Sequence, residues 1–159
     1  MFRKIAIAGV LAVASSGAMA EPTSGSSELE LFGNYFNFDG NNFVNINVAY
    51  GYYFNSQTRM TVGLNASGND LGDSDITLGS RAGVAYHFKP TGNTGYVSGN
   101  WFVGDLEEIS DTQAVDTFLG YRSYLSENTA LFYELGYRYF LDPEEGAVVG
   151  NIGITVLFD

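Results

Sequence analysis

The sequence predicts an all-β protein: an eight-stranded antiparallel up-and-down transmembrane β-barrel, with its apolar face turned outward to lipid. Three observations carry this. Segments that alternate apolar and polar side chains with period 2, each about ten residues long, recur eight times between turn-forming residues. The charged residues within those segments fall on the polar parity. The aromatic residues of the apolar parity gather near segment ends and leave Val, Ile, Leu and Ala between them.

The first segment, Leu29 to Phe38, leaves its parity open: Leu29, Leu31, Gly33 and Tyr35 compete with Phe32, Phe36 and Phe38. The second and third lie in FVNINVAYGYYFNSQTRMTVGLNASG, residues 43–68. There Val44, Ile46, Val48, Tyr50, Tyr52 and Phe54 alternate with Asn45, Asn47, Ala49, Gly51 and Tyr53. After a turn, Met60, Val62, Leu64 and Ala66 alternate with Arg59, Thr61, Gly63 and Asn65. The fourth, Asp75 to Phe88, sets Ile76, Leu78, Ala82, Val84, Tyr86 and Phe88 against Thr77, Gly79, Arg81, Gly83, Ala85 and His87. The fifth, Gly95 to Gly104, has Val97, Gly99, Trp101 and Val103 as its apolar set. The sixth, Ala114 to Leu125, sets Val115, Thr117, Leu119, Tyr121 and Leu125 against Asp116, Phe118, Gly120, Arg122 and Tyr124. The seventh, Thr129 to Phe140, sets Leu131, Tyr133, Leu135, Tyr137 and Tyr139 against Phe132, Glu134, Gly136 and Arg138. The eighth, Gly146 to Phe158, shows Val148, Ile152, Ile154, Val156 and Phe158.

The connections alternate as well. Asn55-Ser56-Gln57, Lys89 to Thr94 and Ser126-Glu127-Asn128 are short. Asp39 to Asn42, Ser67 to Ser74, Asp105 to Gln113 and Leu141 to Glu145 are longer or more acidic. Short turns at one end and longer loops at the other fit an up-and-down barrel.

The charges say which face is inside. Arg59, Arg81, Arg122, Arg138, Asp116 and Glu134 all lie on the polar parity, as does Glu30 if Leu29 and Leu31 are the apolar set. A water-soluble barrel would turn that face outward and dress it with lysine, yet Lys89 sits in a turn. A membrane barrel inverts the faces, so apolar residues meet lipid and polar ones fill the interior. An interior ion cluster of Arg59, Arg81, Asp116, Arg122, Glu134 and Arg138 is therefore expected. If Ser126-Glu127-Asn128 is a three-residue turn, Asp116 stands opposite Arg138, and Arg122 faces Phe132 diagonal to Glu134. The aromatic belts comprise Tyr52, Phe54, Tyr86, Phe88 and Phe158 at the short-turn end, and Tyr35, Trp101, Tyr137 and Tyr139 at the other.

Residues 1–20 read as a cleaved secretory signal: Arg3 and Lys4, an apolar run from Ile5 to Ala14, and the small-x-small site Ala18-Met19-Ala20. That run is well short of the roughly 20 residues of a spanning helix. Residues 21–159 then form one barrel domain outside the cytoplasm. The 7 basic residues of the chain include the two of the signal; the remaining five against 18 acids give a formal charge of −13. Such a charge excludes nucleic acid as a partner. Cysteine is absent, so stability rests on burial and backbone pairing, and no thiolate metal site exists.

The chain resembles the small eight-stranded outer-membrane proteins of Gram-negative bacteria, of the OmpX and OmpA-barrel type. The most specific local element is the last segment, GNIGITVLFD, with Gly150, Ile152, Ile154, Val156 and Phe158 alternating toward a terminal aromatic. Such strands are read by the barrel assembly machinery; here Asp159 makes the aromatic penultimate. The resemblance implies residence in the bacterial outer membrane, contact with its lipids and lipopolysaccharide, and a structural or cell-surface interaction role. Eight strands enclose a space that side chains fill, so a narrow low-conductance pore is the alternative.

A lipid A-modifying enzyme is the third reading. Its histidine would be His87, which falls at the short-turn end with no serine evidently paired; a half-exposed interior histidine is expected instead. No catalytic, cofactor-binding or metal-binding residue is assigned. The acidic loops, with Asp70, Asp73, Asp75, Asp105, Glu107, Glu108, Asp111, Asp142, Glu144 and Glu145, suit solvation or weak divalent-cation binding. SGNDLGDSD lacks the spacing and the final glutamate of a calcium loop.

Overall fold

The computed structural model describes residues 22–38, 41–69, 76–109, 112–142 and 144–158, and the side chains of all of these but 35–38, 41–43 and 69. The predicted signal segment and the SGNDLGDSD loop fall wholly or largely outside the described residues. Eight strands follow in chain order: β1 Ser27–Phe38, β2 Asn41–Tyr53, β3 Thr58–Asn69, β4 Ile76–His87, β5 Thr94–Val103, β6 Gln113–Tyr124, β7 Thr129–Phe140 and β8 Gly146–Phe158. Each pairs antiparallel with its neighbour in sequence, and β1 pairs with β8, which closes the barrel. Closure leaves no sheet edge, the condition for a sheet to cross hydrocarbon with its backbone groups satisfied. At 10 to 13 residues the strands meet the roughly 9–11 residues that a tilted transmembrane strand needs.

Local chemistry sets the hairpins. Asn55 Oδ1 accepts from the N–H groups of Gln57 and Thr58 at 2.9 and 2.8 Å, and folds the β2–β3 turn on itself. Leu125 N–H donates to the Thr129 carbonyl at 2.8 Å, which makes Ser126-Glu127-Asn128 the three-residue turn that the sequence suggests. The register that follows places Asp116 opposite Arg138 and Arg122 opposite Phe132.

The two faces are sharply different. Leu64, Leu119, Leu135 and Val148 are all more than 60% exposed, and their parity continues as an apolar surface around the barrel. Surface of that extent is untenable in water and suited to lipid. The interior is mostly polar: all four described arginines, Glu28, Glu30, Asp116, Glu134 and six asparagines are buried. Apolar packing inside is confined to small groups, such as Phe32, Ala49 and Phe132, where the two phenylalanines meet edge to face at 5.5 Å.

Glycine makes room for this filling. Tyr96 on β5 is opposite Gly120 on β6, and a Cβ there would lie within 2.7 Å of the ring. Glu28 on β1 is opposite Gly51 on β2, and a Cβ there would lie 2.7 Å from the glutamate Cγ. Large inward side chains thus lie flat over a neighbouring glycine, which is how a narrow lumen holds them without widening.

Three details differ from the sequence reading, and one that it left open is resolved. β1 begins at Ser27 and not at Leu29, and its parity resolves with Leu29 and Leu31 outward and Glu28, Glu30, Phe32 and Asn34 inward. The first of the supposed long loops leaves only residues 39–40 between Phe38 and Asn41, because β2 starts earlier than Phe43. Loop length therefore separates the two barrel ends less clearly than acidity does. Val103, expected to face lipid, is buried, since Leu106 N–H donates to the Leu78 carbonyl and draws the β5–β6 loop back over that corner.

Candidate functional site in the barrel lumen

Inward parity on β1, β3 and β6 brings Glu28, Glu30, Arg59 and Arg122 together near the short-turn end. Arg122 spans the lumen from β6 to β1. Its Nη1 donates to Glu28 Oε2 at 2.6 Å and to Tyr53 Oη at 2.7 Å, and its Nη2 donates to Glu28 Oε1 at 3.1 Å and Glu30 Oε1 at 3.2 Å. Tyr53 in turn donates to Glu28 Oε2 at 3.1 Å. Arg59 pairs with both Glu28 and Glu30. The two guanidiniums also lie 5.8 and 6.0 Å from the centroid of the Tyr96 ring. Two carboxylates and two guanidiniums, all buried, make a neutral cross-braced network.

Further along the lumen Glu134 meets no arginine among the described residues. Tyr96 Oη donates to its Oε1 at 2.9 Å and Asn151 Nδ2 to its Oε2 at 2.6 Å. Arg81 donates from Nη2 to Asn100 Oδ1 at 2.7 Å and lies over the Phe32 ring at 4.8 Å. Nearer the acidic-loop end, Arg138 grips Asp116 side-on, Nε to Oδ1 at 2.7 Å and Nη2 to Oδ2 at 2.8 Å, with its Cζ 3.6 Å above the Phe102 ring.

The six residues expected as one ion cluster thus lie inward but in separate groups. Arg59 and Arg122 join the network on β1, Asp116 and Arg138 form their own pair, and Arg81 and Glu134 make no ion pair among the described residues, although Tyr96, which bonds Glu134, also lies against both guanidiniums of the network. The diagonal contact expected between Arg122 and Glu134 is not made: the arginine reaches across the lumen instead and bonds Glu28, Glu30 and Tyr53. Glu28, Tyr53, Tyr96 and the asparagines were not among the expected site residues. Each obeys the same parity rule, so that rule could have found them once β1 was extended to Ser27.

The belt residues Tyr52, Phe54, Tyr86, Phe88, Trp101, Tyr137, Tyr139 and Phe158 all present exposed side chains on the outer face; the Tyr35 side chain lies outside the described residues. Tyr50, Tyr121 and Tyr133 are outward too. His87 corrects its expectation: it is buried, not half-exposed, with its ring 4.9 Å from that of Tyr96 and 6.0 Å from that of Tyr53. Among the described residues no group of three His, Cys, Asp or Glu is placed to hold a metal ion.

Neither a family model nor a curated protein matches the chain. Solved structures do. The N-terminal β-barrel domain of Pseudomonas aeruginosa OprF is similar with a TM-score of 0.62 at 21% identity, over 86% of this chain and 100% of that one. A de novo designed transmembrane β-barrel gives 0.60 at 20% identity, over 87% and 99%. Neisserial surface protein A gives 0.57 at 15% identity, over 85% and 96%. The chain therefore has the fold of the small eight-stranded outer-membrane barrels.

Proposed function

We infer that this chain is an integral barrel of the bacterial outer membrane, delivered by its N-terminal signal, with a structural or cell-surface interaction role and no open channel. One observation carries the reading: the Glu28–Arg59–Glu30–Arg122 network crosses the lumen and is fully buried. Phe32, Phe118 and Phe132 fill further inward positions, and eight strands leave little space beyond such side chains. A lumen braced this way supports a rigid platform for the loops at its acidic end. The similarity to a Neisserial surface protein and to the barrel domain of OprF supports the same placement.

Lipids and lipopolysaccharide would cover the apolar wall, and the assembly machinery would read β8 up to Phe158, whose ring is exposed on that wall. The acidic loops would bind divalent cations weakly. An enzymatic role finds little support at His87, which is enclosed by two tyrosine rings and lies at the end away from the acidic loops.

The second reading, a narrow pore, draws support from the asparagines of the lumen, several of whose amide atoms have no protein partner. Planar-bilayer recording separates the two. The sealed barrel gives no steady conductance above that of the bare bilayer, and Arg122→Ala with Glu28→Ala opens one. Steady unitary currents from the unaltered chain would establish the pore.

A further inference from the structure

Among the described residues the barrel turns one cation toward the membrane surface. The four arginines are buried in the lumen. Lys89, in the β4–β5 turn, is exposed and makes no ion pair among the described residues. The acidic loops occupy the opposite end. An anionic lipid is therefore repelled at that end and attracted at Lys89.

Belt residues lead straight into this lysine. The rings of Tyr86 and Phe88 meet edge to face at 6.5 Å, and Phe88 lies over Gly95 of β5, where a Cβ would be 3.1 Å from its ring. Tyr86 Oη accepts from Gln57 Nε2 at 3.2 Å, and that amide also donates to the His87 carbonyl at 3.1 Å, which fixes it. The tyrosine keeps its own proton for another oxygen.

Beside this cluster the outer wall is hollowed twice. One hollow is lined by Val84, Tyr86, Val97, Gly99 and Thr117, the other by Gly95, Tyr121, Tyr133 and Leu135; Leu119 lines both, as the ridge between them. Their volumes, about 430 and 460 Å³, are nearly equal. Gly99 keeps the first one open, since a Cβ there would meet nothing within 4 Å. Tyr86 pairs with Val97 and Gly95 with Tyr121, so each hollow has its short-turn end beside the Phe88–Gly95 contact.

Two like grooves astride one ridge, with a cation at their common end, match a lipid with two chains and one charged head. A zwitterionic head would bring an ammonium that needs a carboxylate. Outside the lumen at this end, the described carboxylate is Glu127, in the separate β6–β7 turn. We propose that this wall binds a diacyl phospholipid of net negative charge, its phosphate on Lys89 and Tyr86 Oη and its chains in the two hollows. Such a site presupposes a lipid-inserted outer-membrane barrel, and adds to it a preferred lipid and the wall that selects it.

The test uses single tryptophans in the belt, with Trp101→Phe removing the native one. Phe88→Trp reports the site, and Phe158→Trp, on β8, reports the opposite wall. Should Phe88→Trp not insert, Tyr121→Trp, beside the second hollow, replaces it. Each protein is inserted in vesicles of phosphatidylcholine and phosphatidylglycerol in which one lipid or the other carries brominated chains, and quenching gives the local lipid ratio. Phosphatidylglycerol is enriched about fivefold at Phe88→Trp, the factor one surface cation supplies, and is not enriched at Phe158→Trp. Lys89→Gln removes the enrichment. Gly99→Leu, for which the wall has room, fills the first hollow and removes most of it with the charge unchanged. Equal ratios at the two walls, or enrichment kept in Lys89→Gln or Gly99→Leu, would overturn the site. Absence of quenching by either lipid at both walls would overturn the membrane barrel itself.

Discussion

Arg122 is the side chain on which the lumen network depends, and a charge count around it gives a sharp prediction. Glu28, Glu30, Arg59 and Arg122 form a neutral set, with Arg122 making four hydrogen bonds of 2.6 to 3.2 Å to Glu28, Glu30 and Tyr53. Arg122→Met leaves two carboxylates facing Arg59 alone, an excess buried negative charge, and costs about 3–5 kcal/mol. Glu28→Gln leaves two guanidiniums with Glu30 alone and costs a similar amount. The double variant leaves Glu30 with Arg59, which is neutral again. Its cost falls below the sum of the singles by about 2–3 kcal/mol, at the upper end of coupling energies for contacting residues. The assay is equilibrium urea unfolding in lipid vesicles. Trp101, the sole tryptophan and exposed on the outer wall, reports insertion through its fluorescence. Additive effects within about 0.5 kcal/mol would show that the two residues do not interact and refute the cross-brace.

Other perturbations probe separate parts of the account. Leu135→Arg or Val62→Arg, on the outer wall, costs about 2–4 kcal/mol by the same assay, whereas Leu106→Arg in the β5–β6 loop changes stability by less than about 0.5 kcal/mol. Asp116→Ala and Arg138→Ala each cost about 3–5 kcal/mol, and the double variant costs less than their sum, because the side-on pair is buried. An epitope tag in Ser67 to Ser74 or in Asp105 to Gln113 is accessible to antibody on intact cells, and one in Lys89 to Thr94 is not; labelling of the last alone would invert the barrel.

Period and parity made most of the fold legible. Where alternation is unbroken, as in β6 and β7, strand limits, register and inward residues follow from the sequence, and the Asp116–Arg138 pairing follows from the turn at Ser126-Glu127-Asn128. β1 was ambiguous because Phe32 and Leu31 are equally apolar. Only the closed barrel decides that Phe32 packs on Phe132 inside while Leu31 meets lipid. Contacts across the lumen were out of reach of pairwise register. Arg122 and Glu28 are 94 residues apart and belong to strands that do not pair, so nothing local couples them. Val103 shows the remaining limit: a loop folding back buries a residue whose parity points outward.

The central claim is that the apolar parity faces lipid and the polar parity a closed lumen. The absence of cysteine allows single-cysteine spin labelling along β7 without background. Labels at positions 131, 133, 135 and 137 should collide readily with oxygen and hardly with a water-soluble nickel complex, while labels at 130 and 132 should collide weakly with both. Alternation in that sense, with period 2 along the strand, is the result the structure requires. Strong collision of the nickel complex with labels at 133 and 135 would place that face in water and contradict it.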